Sequence, residues 1–145
     1  MRFLFDTNVF LDYLLQRENY KKVEELLFRC FEQKHEIYAT TMTIRDIGYL
    51  SHKHFHDKKE TSLAIQGSYE LCTKIVPVSV DALIETLYEN YSDFEDGLMI
   101  EAANESMCDA IITSDKKGFK QSDIPVYSLV EINNRLAKLN RAVID

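Results

Sequence analysis

The chain has 145 residues, 46% of them hydrophobic, and a formal net charge of −7. That length supports one domain with a sizeable core and excludes two ordinary ones, so residues 1–145 read as a single domain. The acidic balance excludes a protein held to nucleic acid by its overall field, yet it admits a nuclease whose carboxylates gather around cations.

Four Gly and two Pro leave no flexible linker or low-complexity tract, and no repeat is visible at solenoid periods. Asp6 and Asp12 interrupt the apolar start and no small-residue cleavage site follows. Neither a signal peptide nor a membrane span is expected, and a cytoplasmic location is. Cys30, Cys72 and Cys108 are odd in number and far apart, which favours reduced thiols over a disulfide or a zinc set.

In chain order, Arg2 to Phe5 reads as a short buried strand, and Asp6-Thr7-Asn8 stands where it must turn into a helix. Asp6 thereby falls at the strand's carboxyl end, the rim where open α/β sheets bind ligands. A simple helix cap by Asp6 or Thr7 would account for the same residues. Val9 to Gln16 and Tyr20 to Gln33 read as two helices separated by a break at Arg17 to Asn19. Their apolar sides carry Phe10, Leu11, Leu14 and Leu15, then Val23, Leu26, Leu27, Cys30 and Phe31.

Ile37-Tyr38-Ala39 is a second strand, ended by Thr40-Thr41. Thr43 offers an N-cap for a helix holding Ile44, Ile47 and Leu50, with Asp46 at the capping-box position. The basic run from His52 to Lys59 reads as a solvated helix end or loop rather than a metal site, and as a source of phosphate contacts in a nucleic-acid binder. Thr61 to Cys72 looks helical, and Lys74 to Val78 reads as an edge strand or extended connection because it contains Pro77.

Ser79 begins another helix, with Leu83, Ile84 and Leu87 in register inward and Asp81 and Glu85 outward. Asp93-Phe94-Glu95-Asp96 opens a helix running towards Met107, where the two aspartates act either as an acidic cap or as site residues. Ala110 to Thr113 is a short strand followed at once by Ser114-Asp115. Ile124 to Tyr127 is a last strand and Leu129 to Leu139 a closing helix. Strands and helices alternate almost throughout, which predicts an α/β fold with a parallel sheet covered on both faces.

Parallel strands put their carboxyl ends on one rim, so Asp6 and Asp115 can meet there, and helices starting at that rim would bring Asp46, Asp93 and Asp96. Two bare carboxylates about 5 Å apart repel by roughly 3 kcal/mol at an effective dielectric of 20. Such a cluster needs protons or cations, and a few hard oxygen ligands with open positions suit Mg²⁺ or Mn²⁺.

Phe5-Asp6-Thr7-Asn8-Val9, Thr40-x-x-Thr43-x-x-Asp46, Asp93-x-x-Asp96 opening an Ala-rich helix, and Ile112-Thr113-Ser114-Asp115 before Lys117-Gly118-Phe119 together resemble the PIN-domain family. The resemblance covers nearly the whole chain, in the family's order and spacing. It is similar to the small single-domain members, many of them toxins of VapBC-type toxin–antitoxin pairs. The resemblance implies a three-layer α/β/α fold with a central, mainly parallel sheet, and an acidic pocket holding Mg²⁺ or Mn²⁺ for RNA cleavage. Asp6, Asp96 and Asp115 match the family's metal-holding acids, and Asp46 stands where the family usually has Glu. Asp93 matches a frequent additional acid, while Asn8 and Thr113 match supporting polar positions. Gly97 stands where Ala is common.

The resemblance thus implies a metal-assisted endoribonuclease using Asp6, Asp46, Asp96 and Asp115, with Lys116, Lys117 or Lys120 on substrate phosphates. It also implies an antitoxin partner and a homodimer. Two rivals stand beside it. A haloacid dehalogenase-type phosphatase also ends its first strand in Asp, but it usually has a second Asp two residues on, where this chain has Asn8. A PIN-like module that binds RNA or protein without turnover is the other.

Overall fold

The computed structural model describes residues 1–144. Five strands, β1 (Arg2–Phe5), β2 (Glu36–Thr40), β3 (Lys74–Val76), β4 (Ala110–Ile112) and β5 (Val126–Tyr127), form one sheet. Its order is β3-β2-β1-β4-β5, with every neighbouring pair parallel. β1 is therefore central, and β3, the strand ahead of Pro77, lies at an edge.

Being covered on both sides explains why β1 is an unbroken apolar run rather than an alternating one. Phe3 and Phe5 enter one buried cluster with Phe10, Leu26, Ile47 and Leu136, whereas Leu4 enters the opposite one with Met99, Ile100 and Ile111. Each of these side chains contributes about 1.5–3 kcal/mol on full burial.

Four helices pack residues into the first cluster: α1 (Thr7–Leu14), α2 (Tyr20–Glu32), α3 (Thr41–Phe55) and, after three further helices, the closing segment Leu129–Ile144. α4 (Lys58–Leu71) lies beside α3, and Gly67 comes close to Leu14 of α1. On the opposite face α6 (Phe94–Glu105) supplies Met99, Ile100 and Ala103, and α5 (Val80–Glu89) packs on it. Leu129–Ile144 is α7. The layers are helix, sheet and helix.

Several expected boundaries shift. α1 begins at Thr7 rather than Val9, because Asp6 is its N-cap. Thr40, not Thr43, caps α3: the Thr43 N–H donates to Thr40 Oγ1 at 3.0 Å, and Thr43 itself is buried. Asp46 consequently holds no capping-box position. α3 continues through the histidine-rich run to Phe55 and ends where His56 takes a left-handed φ of 51°. Asp57 then caps α4, which starts at Lys58 rather than Thr61. In α5 the expected inward face is the outer one, since Ala82 and Thr86 are buried while Leu83, Ile84 and Leu87 are exposed.

Candidate active site

β1 continues to β2 and β3 on one side, while β4 and β5 lie on the other. The order therefore reverses between β1 and β4, and a crevice opens at the carboxyl ends of adjacent strands at such a point. Asp6 leaves β1 there, and Thr113-Ser114-Asp115 leaves β4.

The Asp6 carboxylate is fixed at both oxygens. Oδ1 accepts from the Thr7 N–H at 2.8 Å, and Oδ2 accepts from the Thr113 hydroxyl at 2.9 Å. Thr113 is fully buried, and its oxygen also accepts the Asp115 N–H at 3.1 Å. One hydroxyl thus ties the two strand exits together. Asp115 turns its Oδ1 back to the Lys117 N–H at 3.0 Å, at the start of a 3₁₀ turn (Lys117–Phe119).

Asp96 comes from the first turn of α6, whose N-cap is Asp93: Asp93 Oδ1 accepts the Asp96 N–H at 2.9 Å. Asp93 is therefore a cap, while its charge still reaches the site. Burial first, and then Asp93, Asp6, Asp115 and Glu95, push the Asp96 carboxyl up to about 6. Asp6 is raised as well, chiefly by burial, against the lowering hydrogen bonds from Thr113 and Thr7. Among the described residues no Lys or Arg pairs with Asp6, Asp96 or Asp115. Such a group of unneutralised acids lowers its energy by taking up cations or protons.

Asp46 shares a cavity with Asp6 and Asp96, and Asn8 borders the same space. The Asp46 carboxylate accepts from the Arg45 guanidinium at 3.1 Å, and the Asn8 amide oxygen accepts from Arg17 at 3.4 Å. Asp115 faces the neighbouring cleft together with Lys116, Lys117 and Lys120. Of those lysines, Lys116 is engaged with Glu131 at 3.0 Å.

Three residues of the cavity went unassigned in the sequence: Glu95, Arg45 and Tyr49. Glu95 was signalled by the acidic quartet at positions 93–96, and Arg45 by its place beside Asp46. Outside that cavity, Asp12 also went unassigned: it is a buried acid accepting from Asn19 and from Ser114, each at 3.2 Å. It anchors the loop that carries Asp115.

The donor set is of the kind a hard divalent cation takes: carboxylate oxygens, three of them oriented by hydrogen bonds, in surroundings that raise the proton affinity of Asp6 and Asp96. Among the described residues, no group of three or more histidines, cysteines, aspartates and glutamates is placed to hold a metal ion as the side chains stand.

The PIN domain family profile matches residues 2–117, a span that contains every one of these acids. The chain belongs to the PIN domain family. No curated protein matches it in sequence. In three dimensions this PIN domain is similar to FitAcB from Neisseria gonorrhoeae, with 18% identity over 88% of this chain and 98% of that one and a TM-score of 0.68. It is also similar to a toxin–antitoxin complex from Klebsiella pneumoniae, at 20% identity over 87% and 96% of the chains and a TM-score of 0.62. VapC20 of Mycobacterium tuberculosis, a toxin that cleaves the sarcin–ricin loop, matches at 10% identity over 81% and 92%, with a TM-score of 0.62. At such identities the likeness concerns the fold.

The structure also accounts for Gly97. A Cβ at that position of the PIN domain would lie 2.6 Å from Cδ2 of Tyr91, whose ring rests on the first turn of α6. Tyr91 is held there by its hydroxyl, which donates to Glu101 at 2.5 Å.

Proposed function

We propose that this PIN domain is a Mg²⁺- or Mn²⁺-dependent endoribonuclease acting in the cytoplasm as the toxin of a toxin–antitoxin pair. The observation carrying the proposal is the nearness of Asp6, Asp96 and Asp115 at the sheet's switch point, where the Asp115 charge helps raise both Asp6 and Asp96 and no cationic side chain pairs with any of the three among the described residues. Asp6, Asp96 and Asp115 would hold the cation. When bound, it would supply an activated water and charge stabilisation for phosphodiester hydrolysis.

The chain's own part is orientation. Thr7 and Thr113 fix the Asp6 carboxylate, and Lys117 N–H fixes that of Asp115. Asp46, in the same cavity as Asp6 and Asp96, would accept a proton or hydrogen bond from the attacking water. Lys117 and Lys120, exposed beside Asp115, would bind substrate phosphates, while Lys116 is occupied by Glu131. The complexes among the structural relatives support a small antitoxin as partner, and the family resemblance supports a homodimer.

The test is cleavage of single-stranded RNA by purified protein. Cleavage that needs Mn²⁺ or Mg²⁺, stops in EDTA and is lost in Asp6→Asn supports the proposal. Equal cleavage in EDTA, or full activity in Asp6→Asn, contradicts it.

One observation favours a second reading, a PIN domain that binds without cutting: among the described residues no three acids, histidines or cysteines are placed to hold a metal ion as they stand. Mn²⁺ titration separates the two, because a module without turnover should bind the ion weakly or not at all.

A further inference from the structure

The inward side of α3 is set by Thr43, Ile47 and Ser51, spaced by four and all buried. Two positions on from each, Arg45, Tyr49 and Lys53 form a second row at the same spacing, and all three are exposed. Four residues advance a helix by about 6 Å, so the row presents cation, aromatic ring and cation in regular steps. Its first two members border the cavity that holds Asp6, Asp46 and Asp96.

Tyr49 differs from the tyrosines that have structural work. Tyr13 stacks on Tyr20, Tyr91 is bonded to Glu101, and Tyr127 lies under Arg135. Tyr49 is 60% exposed, as are Tyr69 at 66% and Tyr88 at 82%, but of these three it alone lines the acidic cavity. Arg45 rests one guanidinium N–H on Asp46, and its side chain is 77% exposed, so other donors of the fork face solvent.

An acidic cavity repels the phosphate it would have to receive, and a strand entering it needs cations at the rim. A single-stranded nucleic acid also carries unstacked bases, which an exposed aromatic ring accepts irrespective of sequence. We propose that the Arg45–Tyr49–Lys53 row of α3 is the seat for the RNA strand beside the scissile bond: Tyr49 stacks on a base, and Arg45 holds an adjoining phosphate. This assignment rests on the nuclease reading and adds the residues that hold the substrate.

The experiment uses the full chain with Asp6→Asn to suppress cutting, and fluorescence anisotropy of a labelled short single-stranded oligoadenylate and its abasic counterpart. Tyr49→Ala is expected to weaken oligoadenylate binding about tenfold or more, to leave abasic binding unchanged, and to be rescued by Tyr49→Phe. Arg45→Ala should weaken both ligands and lower the salt slope by about one. Oligoadenylate affinity unchanged in Tyr49→Ala, or equal losses on both ligands, overturns the assignment and leaves this face to a protein partner. Failure of the nuclease reading shows separately, as absence of RNA cleavage by the unmutated chain with Mn²⁺.

Discussion

Gly118 lies against the Asp96 carboxylate so closely that a Cβ at position 118 would overlap Asp96 Oδ2 and stand 2.7 Å from its Cγ. The 3₁₀ turn after β4 thus closes over the acid delivered by α6, and only a hydrogen atom fits between them. Gly118→Ala should displace Asp96 and weaken Mn²⁺ binding about tenfold to a hundredfold, the range typical of disturbed ligand support. Calorimetric titration checks this, with circular dichroism verifying that the fold persists.

Thr113 acts through Asp6 and Asp115 rather than on substrate. Thr113→Val keeps the shape and removes the hydroxyl, leaving Asp6 Oδ2 without its donor. Mn²⁺ affinity should fall about tenfold or more, whereas Thr113→Ser should retain most of it. A purely steric role would reverse that order.

Asp96 gives the site a definite pH dependence. Its carboxyl is raised from 3.8 to about 6, so the folded protein holds that proton more tightly than the unfolded chain does. Stability contributed by the protonated acid is intact below 3.8, declines between 3.8 and about 6, and is lost above. Without divalent cations, Asp96→Asn should therefore melt higher than the parent at neutral pH, with the difference shrinking on acidification. Added Mn²⁺ should raise the parent's melting temperature more than the variant's. Thermal melts across that range, with and without the ion, decide it.

Gly97 and Tyr91 form a steric pair. Gly97→Ala gains up to about 1 kcal/mol of helix propensity but drives a methyl into the Tyr91 ring, and such overpacking costs about 1–3 kcal/mol. Net destabilisation is expected in urea unfolding. In the Tyr91→Ala background the same substitution should be neutral or stabilising.

The central part of this architecture was readable because buried parallel strands leave a simple mark: a continuous apolar run with a polar residue at its end. Phe3 to Asp6 and Ala110 to Asp115 carry that mark, and Asp96 follows from its acidic helix start. Caps were less legible. Thr40, Thr41 and Thr43 offer three hydroxyls within four residues, and which one caps α3 depends on where β2 stops pairing.

The orientation of α5 was hidden for another reason. Leu83, Ile84 and Leu87 form a good apolar stripe, but α5 meets α6 through the small residues Ala82 and Thr86. Periodicity identifies a stripe without saying what covers it. Contacts such as Gly118 with Asp96, or Arg45 and Tyr49 at the cavity rim, join distant segments and leave no periodic trace.

Calorimetric titration of the unmutated protein with Mn²⁺ at neutral pH, beside Asp6→Asn, Asp96→Asn and Asp115→Asn, is the most direct test of the acidic centre. Shared ligation predicts saturable binding by the parent and a marked loss in each of the three variants. No binding by the parent, or binding that survives all three replacements unchanged, would show that these aspartates do not hold a cation together.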